Sequence, residues 1–202
     1  MYNGNSRLRA AGEEIEYTPE LLQEYIRCKE DIIYFAEKYF KVVTIDKGEH
    51  LINLYDFQKK MLKAFMGDGD PRQHLALCSS RQIGKTTIST IYIVHYILFN
   101  EDKTVAVLAN REKTAIEILK RIKEAYANLP LWLQQGIDTD WSKTEILLEN
   151  KCRIVAGSTA SSAIRGYVIS CVSNDTTLTV RDKETGHIEL IDMKELEKRL
   201  SE

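Results

Sequence analysis

The sequence predicts an α/β fold, a parallel sheet flanked by helices in three layers. Two apolar runs without alternation, Leu75-Ala76-Leu77-Cys78 and Thr104 to Ala109, have the pattern of strands buried on both faces. Each leads into a helical pattern. The first runs from Thr87 to Phe99; the second places Ala115, Ile116, Leu119, Ile122 and Tyr126 on one face. Such β-α-β alternation calls for parallel strands joined by helical crossovers. At 202 residues, 44% hydrophobic and 29% charged, the chain has room for one substantial core and a small appendage.

The remaining elements follow in order. Residues 1–17 show no apolar period and read as a flexible arm. Thr18-Pro19-Glu20 opens a helix, with Thr18 as cap and proline in the first turn, and helical spacing continues to Phe40. Val42 to Ile45 is either a short strand or an extended arm, closed by an Asp46-Lys47-Gly48 turn. Leu54 to Leu62 begins an amphipathic helix, and Gly67 to Pro71 breaks the chain before the first apolar strand. After Thr104 to Ala109, Asn110 is placed to cap a helix ending near Asn128-Leu129-Pro130. Glu145 to Leu148 and Cys152 to Ala156 read as strands around a turn at Glu149-Asn150-Lys151. Gly157 to Gly166 is a polar loop, and Tyr167-Val168-Ile169 starts a further strand. The character then changes. From Cys171 the pattern is short strand, charged turn from Arg181 to Gly186, short strand through Ile188, Leu190 and Ile191, and a helix capped by Asp192 with Glu195 three residues on.

Charge and cysteine usage narrow the setting. A net charge of -2 gives no global attraction for nucleic acid, so any such contact must be local. Cys28, Cys78, Cys152 and Cys171 form no close pair, which argues against a zinc site or disulfide framework and for a reducing cytoplasm. The polar N-terminus does not read as a signal peptide, and Ile88 to Phe99, interrupted by Ser89, Thr90 and His95, is too short to span a membrane.

The chemistry concentrates between the first strand and its helix, in Cys78-Ser79-Ser80-Arg81-Gln82-Ile83-Gly84-Lys85-Thr86-Thr87. The phosphate-loop pattern G-x-x-x-x-G-K-[ST] is met at Gly84, Lys85 and Thr86, with Ser79 in place of the first glycine. Amides at a helix start point at an anion, and the helix dipole adds positive charge there. Gly84 lets the backbone close around a phosphate, Lys85 reaches the β and γ phosphates of ATP, and the Thr86 hydroxyl coordinates Mg²⁺. Gln58 stands ahead of the loop. An amide donates and accepts at once, which suits an adenine edge, although a lone helical glutamine is usually a solvated surface residue.

Three segments together resemble the ATPase domain of a tailed-phage large terminase. They are Leu54-Tyr55-Asp56-Phe57-Gln58; Ser80-Arg81-Gln82-Ile83-Gly84-Lys85-Thr86-Thr87; and a block from Val107-Leu108-Ala109-Asn110 through Leu129-Pro130-Leu131-Trp132 to Ile164-Arg165-Gly166. The resemblance covers about residues 30–170. It implies a P-loop ATPase core, Mg-ATP hydrolysis and DNA translocation in a homo-oligomeric motor. That motor works in the host cytoplasm with double-stranded DNA, a portal and a small terminase subunit. It makes Arg81 the loop arginine that contacts the γ-phosphate, a task suited to a permanently charged fork. The domain assigned to the ATPase is 18–170.

Where the family continues into an apolar strand ending in an Asp-Glu pair, this chain has none, and the family's nuclease is also missing. Cys171-Val172-Ser173-Asn174-Asp175-Thr176 instead resembles the opening block of an intein, with Asn174 where glycine is usual. The resemblance implies that the Cys171 thiolate attacks the carbonyl of Ser170. Later intein catalysts are absent, and His187 does not fit the Thr-x-x-His block. Residues 171–202 are therefore expected to be a short, β-rich split-intein N-fragment whose partner brings the rest of the intein, the Asp-Glu strand and the nuclease. Two alternatives stay open: a P-loop nucleotide-binding module with an ordinary Cys171, and a fragment of a helicase-like ATPase.

Overall fold

The computed structural model describes residues 1–44, 48–67, 80, 82–159, 171–173, 178–181 and 188–191. It is a mixed α/β structure with helices flanking a five-stranded sheet. Strand β3 (Thr104–Ala109) is an interior strand of that sheet and every residue after Thr104 is buried. It pairs in parallel with β6 (Arg153–Ser158) along its whole length, from Thr104↔Arg153 to Ala109↔Ser158. On its other edge it pairs in parallel with β7 (Cys171–Ser173). The wholly parallel sheet expected from the sequence is not found. β5 (Glu145–Leu148) runs antiparallel to β6, and β4 (Ile137–Trp141) antiparallel to β5. The link from β5 to β6 is a tight turn with Lys151 in the left-handed region at φ 61°. A parallel crossover needs a dozen residues or more, so this link forces a hairpin. β4 went unrecognised because its Asp138 and Asp140 dilute the apolar signal, as suits a strand at the sheet's edge.

Helix α5 (Glu112–Ala127) packs on β3 and β6 with Ala115, Leu119, Ile122 and Tyr126 inward. Its N-cap is Arg111 rather than the expected Asn110, and no side chain caps it. α4 (Lys85–Phe99) packs against α5 and is apolar nearly all round, with Ile88, Ile91, Val94, Ile97 and Leu98 buried. The helix expected from Pro19 to Phe40 is two helices, α1 (Pro19–Glu30) and α2 (Ile32–Tyr39). Asp31 breaks the run: it adopts φ -122° and its carboxylate accepts the amides of Ile33 and Tyr34, capping α2. β1 (Lys41–Thr44) and β2 (Gly48–Leu51) form a hairpin, so the segment at Val42 is a strand. α3 (Asp56–Phe65) follows. A separate two-stranded ribbon pairs β8 (Leu178–Arg181) with β9 (Ile188–Ile191).

Residues 1–17, expected to be a flexible arm, are docked. Leu8 is only 3% exposed, and Ala10 bridges Ile137 at the open edge of β4. The Arg9 guanidinium meets Glu149 at 2.8 Å and donates to the Gln134 carbonyl at 2.7 Å. Glu149 also accepts the Gly136 amide at 2.7 Å and the Gly12 amide at 3.2 Å. The arm is held by backbone and charge, with a single buried aliphatic side chain, so hydrophobic periodicity could not reveal it. The loop expected from Gly157 to Gly166 starts later, because Gly157 and Ser158 still pair with β3 as the end of β6. The rest of that loop from Ala160, the predicted strands at Leu75 to Cys78 and Tyr167 to Ile169, the turn after Arg181 and the helix from Asp192 lie outside the described residues. Among the described residues no helix is long and apolar enough to cross a membrane.

The arm makes Gly136 indispensable: a Cβ there would lie 2.6 Å from the Ala10 carbonyl oxygen and 2.6 Å from a Glu149 oxygen. Gly136→Ala is expected to cost about 1–3 kcal/mol by overpacking and to release the arm. Limited proteolysis at Arg7 and Arg9 should speed up severalfold; an unchanged cleavage rate would show that the arm does not need this contact.

His95, on α4, is 3% exposed, contacts the Cys28 carbonyl at 3.0 Å through Nε2, and lies against Phe35 and Phe99. Burial pulls its pKa from 6.5 down to about 4, so the unfolded chain takes up the proton first. Its share of stability is intact above pH 6.5 and is lost as pH falls from there towards 4. Urea unfolding should lose about 2 kcal/mol between pH 6.5 and 5 on this account, and His95→Gln should flatten that slope.

Candidate phosphate-binding site

Helix α4 begins at Lys85 with Gly84 as N-cap, and Gly84 is left-handed at φ 85° with no side chain to cap the helix. The amides of a first helical turn have no partner within the helix. Here no N-cap side chain meets them and no acidic residue sits in the first turn. That leaves the positive end of the helix dipole uncompensated by a carboxylate, as an anion requires. Gln82 is also left-handed, at φ 65°, an uncommon conformation for a residue with a side chain. Two left-handed residues on either side of Ile83 curl the backbone into the kind of concavity that collects amides around an anion. The Lys85 ammonium bends back over this curl to the Ser80 carbonyl at 3.2 Å. Ser80 and Gln82 are exposed, while Ile83, Gly84, Lys85, Thr86 and Thr87 are half-buried. One turn into the helix the Thr90 hydroxyl donates to the Thr86 carbonyl at 2.8 Å.

Gln58 belongs to this site in a way the sequence did not reveal. It is 7% exposed, so the solvated-surface alternative is wrong. Its Oε1 accepts the Tyr55 amide at 3.1 Å, closing a capping box at the start of α3, and its Nε2 donates to the Ile83 carbonyl at 3.0 Å. One amide thus ties α3 to the loop. The spacing Tyr55-Asp56-Phe57-Gln58, with an amide at the third helical position, was the available signal. Close approach explains Gly84 as well: a Cβ on it would lie 2.8 Å from Gln58 Nε2.

The structure brings together Gln58, Ser80, Gln82, Ile83, Gly84, Lys85, Thr86 and Thr87. Ser79, Arg81 and the strand expected before them lie outside the described residues. Cys171 is not part of this cluster. Its backbone is the first residue of β7, opposite Val105. The main sheet therefore extends past Ser170, and the expected domain boundary between 170 and 171 does not coincide with the end of sheet pairing. Cys28 and Cys152 are free and buried thiols. Burial raises both, Cys28 to about 12, which disfavours the reactive thiolate form. Among the described residues no group of three or more His, Cys, Asp or Glu side chains is arranged to hold a metal. No protein-family model matches the chain.

The Gln58–Gly84 contact can be read by a double-mutant cycle. Gln58→Ala strands the Tyr55 amide and the Ile83 carbonyl and should cost about 1–3 kcal/mol. Gly84→Ala adds left-handed strain of about 1–2 kcal/mol plus the clash. In the double variant the clash is gone, so the two costs should sum to less than their separate values in urea unfolding. Strict additivity would show that the two residues do not touch.

Proposed function

We propose that this chain carries the phosphate-gripping half of a P-loop ATPase of the tailed-phage large-terminase type, joined at Ser170-Cys171 to the N-terminal fragment of a split intein. One observation supports the ATPase reading above all: a left-handed glycine caps a helix that has no acidic first-turn residue, and the lysine opening that helix folds back over the loop. The three-layer arrangement of P-loop ATPases is part of the same reading. Lys85 and the amides of the first turn would hold the β and γ phosphates of ATP, and Arg81 the γ-phosphate. The Thr86 hydroxyl, at the motif's Ser/Thr position, would hold Mg²⁺ through the nucleotide. Gln58 keeps one N–H and one lone pair beyond those it has used, and these would meet an adenine edge. Bound Mg²⁺ supplies charge neutralisation at the γ-phosphate.

The terminase and intein assignments rest on the motif resemblances. On this reading the Cys171 thiolate attacks the Ser170 carbonyl carbon. The peptide bond breaks, a thioester forms, and the Cys171 nitrogen leaves as an amine. A second polypeptide brings the remaining intein, the Asp-Glu strand and the nuclease. The ligated product works as a homo-oligomer with double-stranded DNA, portal and small terminase subunit in the host cytoplasm. A second reading, a nucleotide-binding module without splicing, draws on the pairing of Cys171–Ser173 within the main sheet, where an ordinary structural cysteine would also sit.

Lys85→Ala and Cys171→Ala separate these readings. With the complementary chain added, Lys85→Ala should lower nucleotide affinity at least a hundredfold and leave ligation intact, while Cys171→Ala should abolish ligation and leave affinity intact. Ligation followed by mass spectrometry that persists without the Cys171 thiol would eliminate the intein. Nucleotide binding indifferent to Lys85 would eliminate the phosphate loop.

A further inference from the structure

A groove of about 750 Å³ opens between the N-terminal arm, the β1–β2 hairpin, α4 and α5. Four cations line it, Arg7, Lys41, Arg121 and Lys123, against two carboxylates, Glu49 and Glu124. This excess is local, because the whole chain carries a net charge of -2. Lys41 is satisfied by Glu49 at 3.3 Å. Arg7, Arg121 and Lys123 have no carboxylate partner among the described residues. Lys123 is the most telling of the three. It is half-buried, its ammonium meets, among the described residues, the Ser142 carbonyl and the face of Trp141 at 5.0 Å, and burial draws its pKa down to about 8. A desolvated cation without a counter-ion is costly, and an anion in the groove would offset that cost. The Trp141 ring is already engaged by Lys123 and by Tyr126 at 5.6 Å, so recognition here is of charge rather than of a stacked base. Thr87 and Thr90 of α4 reach the groove, so it lies against the helix that begins at the phosphate loop without including Lys85.

We infer that this groove is a second anion site, adjoining the loop at the start of α4 at Thr87 but built from cations that are not part of it, which takes phosphate groups carried by a nucleic-acid strand or by a free polyphosphate. Its volume suits a few phosphate units, falling within the range of ordinary ligand sites. The two sources share their chemistry and differ in what else they bring, which the experiment resolves.

The test uses the full chain carrying Lys85→Ala, so that the loop is silenced and its failure cannot be mistaken for failure of the groove. Titration calorimetry with inorganic tripolyphosphate, a single-stranded oligonucleotide and a duplex of equal length supplies the arms. At least one probe should bind, more weakly as salt rises. Arg121→Gln and Arg7→Gln should each weaken it by about tenfold, as expected for a charged hydrogen bond. Both side chains belong to exposed residues, and circular dichroism verifies that the fold survives. Tripolyphosphate binding alone assigns the groove to a free polyphosphate, and oligonucleotide binding alone assigns it to a nucleic-acid backbone. Absence of binding by all three probes, or affinities unmoved by both substitutions, overturns the inference.

Discussion

Backbone hydrogen bonds along both edges of β3 tie together parts of the chain that lie far apart in sequence. One edge takes β6 over six residue pairs and the other takes β7 over three. The strand can serve this way because both its faces are apolar: five successive residues are buried, and α5 covers it with an equally apolar stripe. From that strand the chain returns through α5, then turns back on itself as β4 and β5 before reaching β6. A strand buried on all sides leaves little freedom for the elements around it, so the helix ends and loops that surround it are fixed in space.

The phosphate-binding candidate uses that rigidity. Left-handed backbone is free for Gly84 but unfavourable for Gln82, where it persists because Gln58 holds the neighbouring Ile83 carbonyl from outside the loop. An amide is the right group for this, since one side chain can accept from the start of α3 and donate to the loop simultaneously. The uncapped start of α4 is then a consequence of the shape. With glycine at the N-cap and no acid in the first turn, the helix end keeps its positive potential for an anion.

Charge is distributed on the same principle of local need. A chain with net charge -2 still gathers Arg7, Arg121 and Lys123 around one groove without carboxylate partners among the described residues. Some ions elsewhere are paired, as Arg9 with Glu149 and Lys38 with Glu24 at 2.7 Å. Glu24 shows how densely such pairing can be built, accepting from Lys38, Tyr34 and Tyr39 together. Arg7, Arg121 and Lys123 in the concave site differ from that network, because no carboxylate among the described residues pairs with them.

The sequence by itself determined β3, α4, α5 and the loop motif before α4. In each, apolar periodicity or a glycine-lysine-threonine spacing is a local property, written within ten to twenty neighbouring residues. It did not determine the break at Asp31, because helical spacing on both sides concealed it. Tertiary structure alone decided the antiparallel turn of β4 and β5 and the docking of residues 1–17. It decided the buried role of Gln58 and the entry of Cys171–Ser173 into the main sheet as well. These features share a physical cause. They depend on backbone and polar groups meeting partners distant in the chain, such as Arg9 with Glu149 or Val105 with Cys171, and a hydrophobic pattern carries no record of which distant partner a polar group will find.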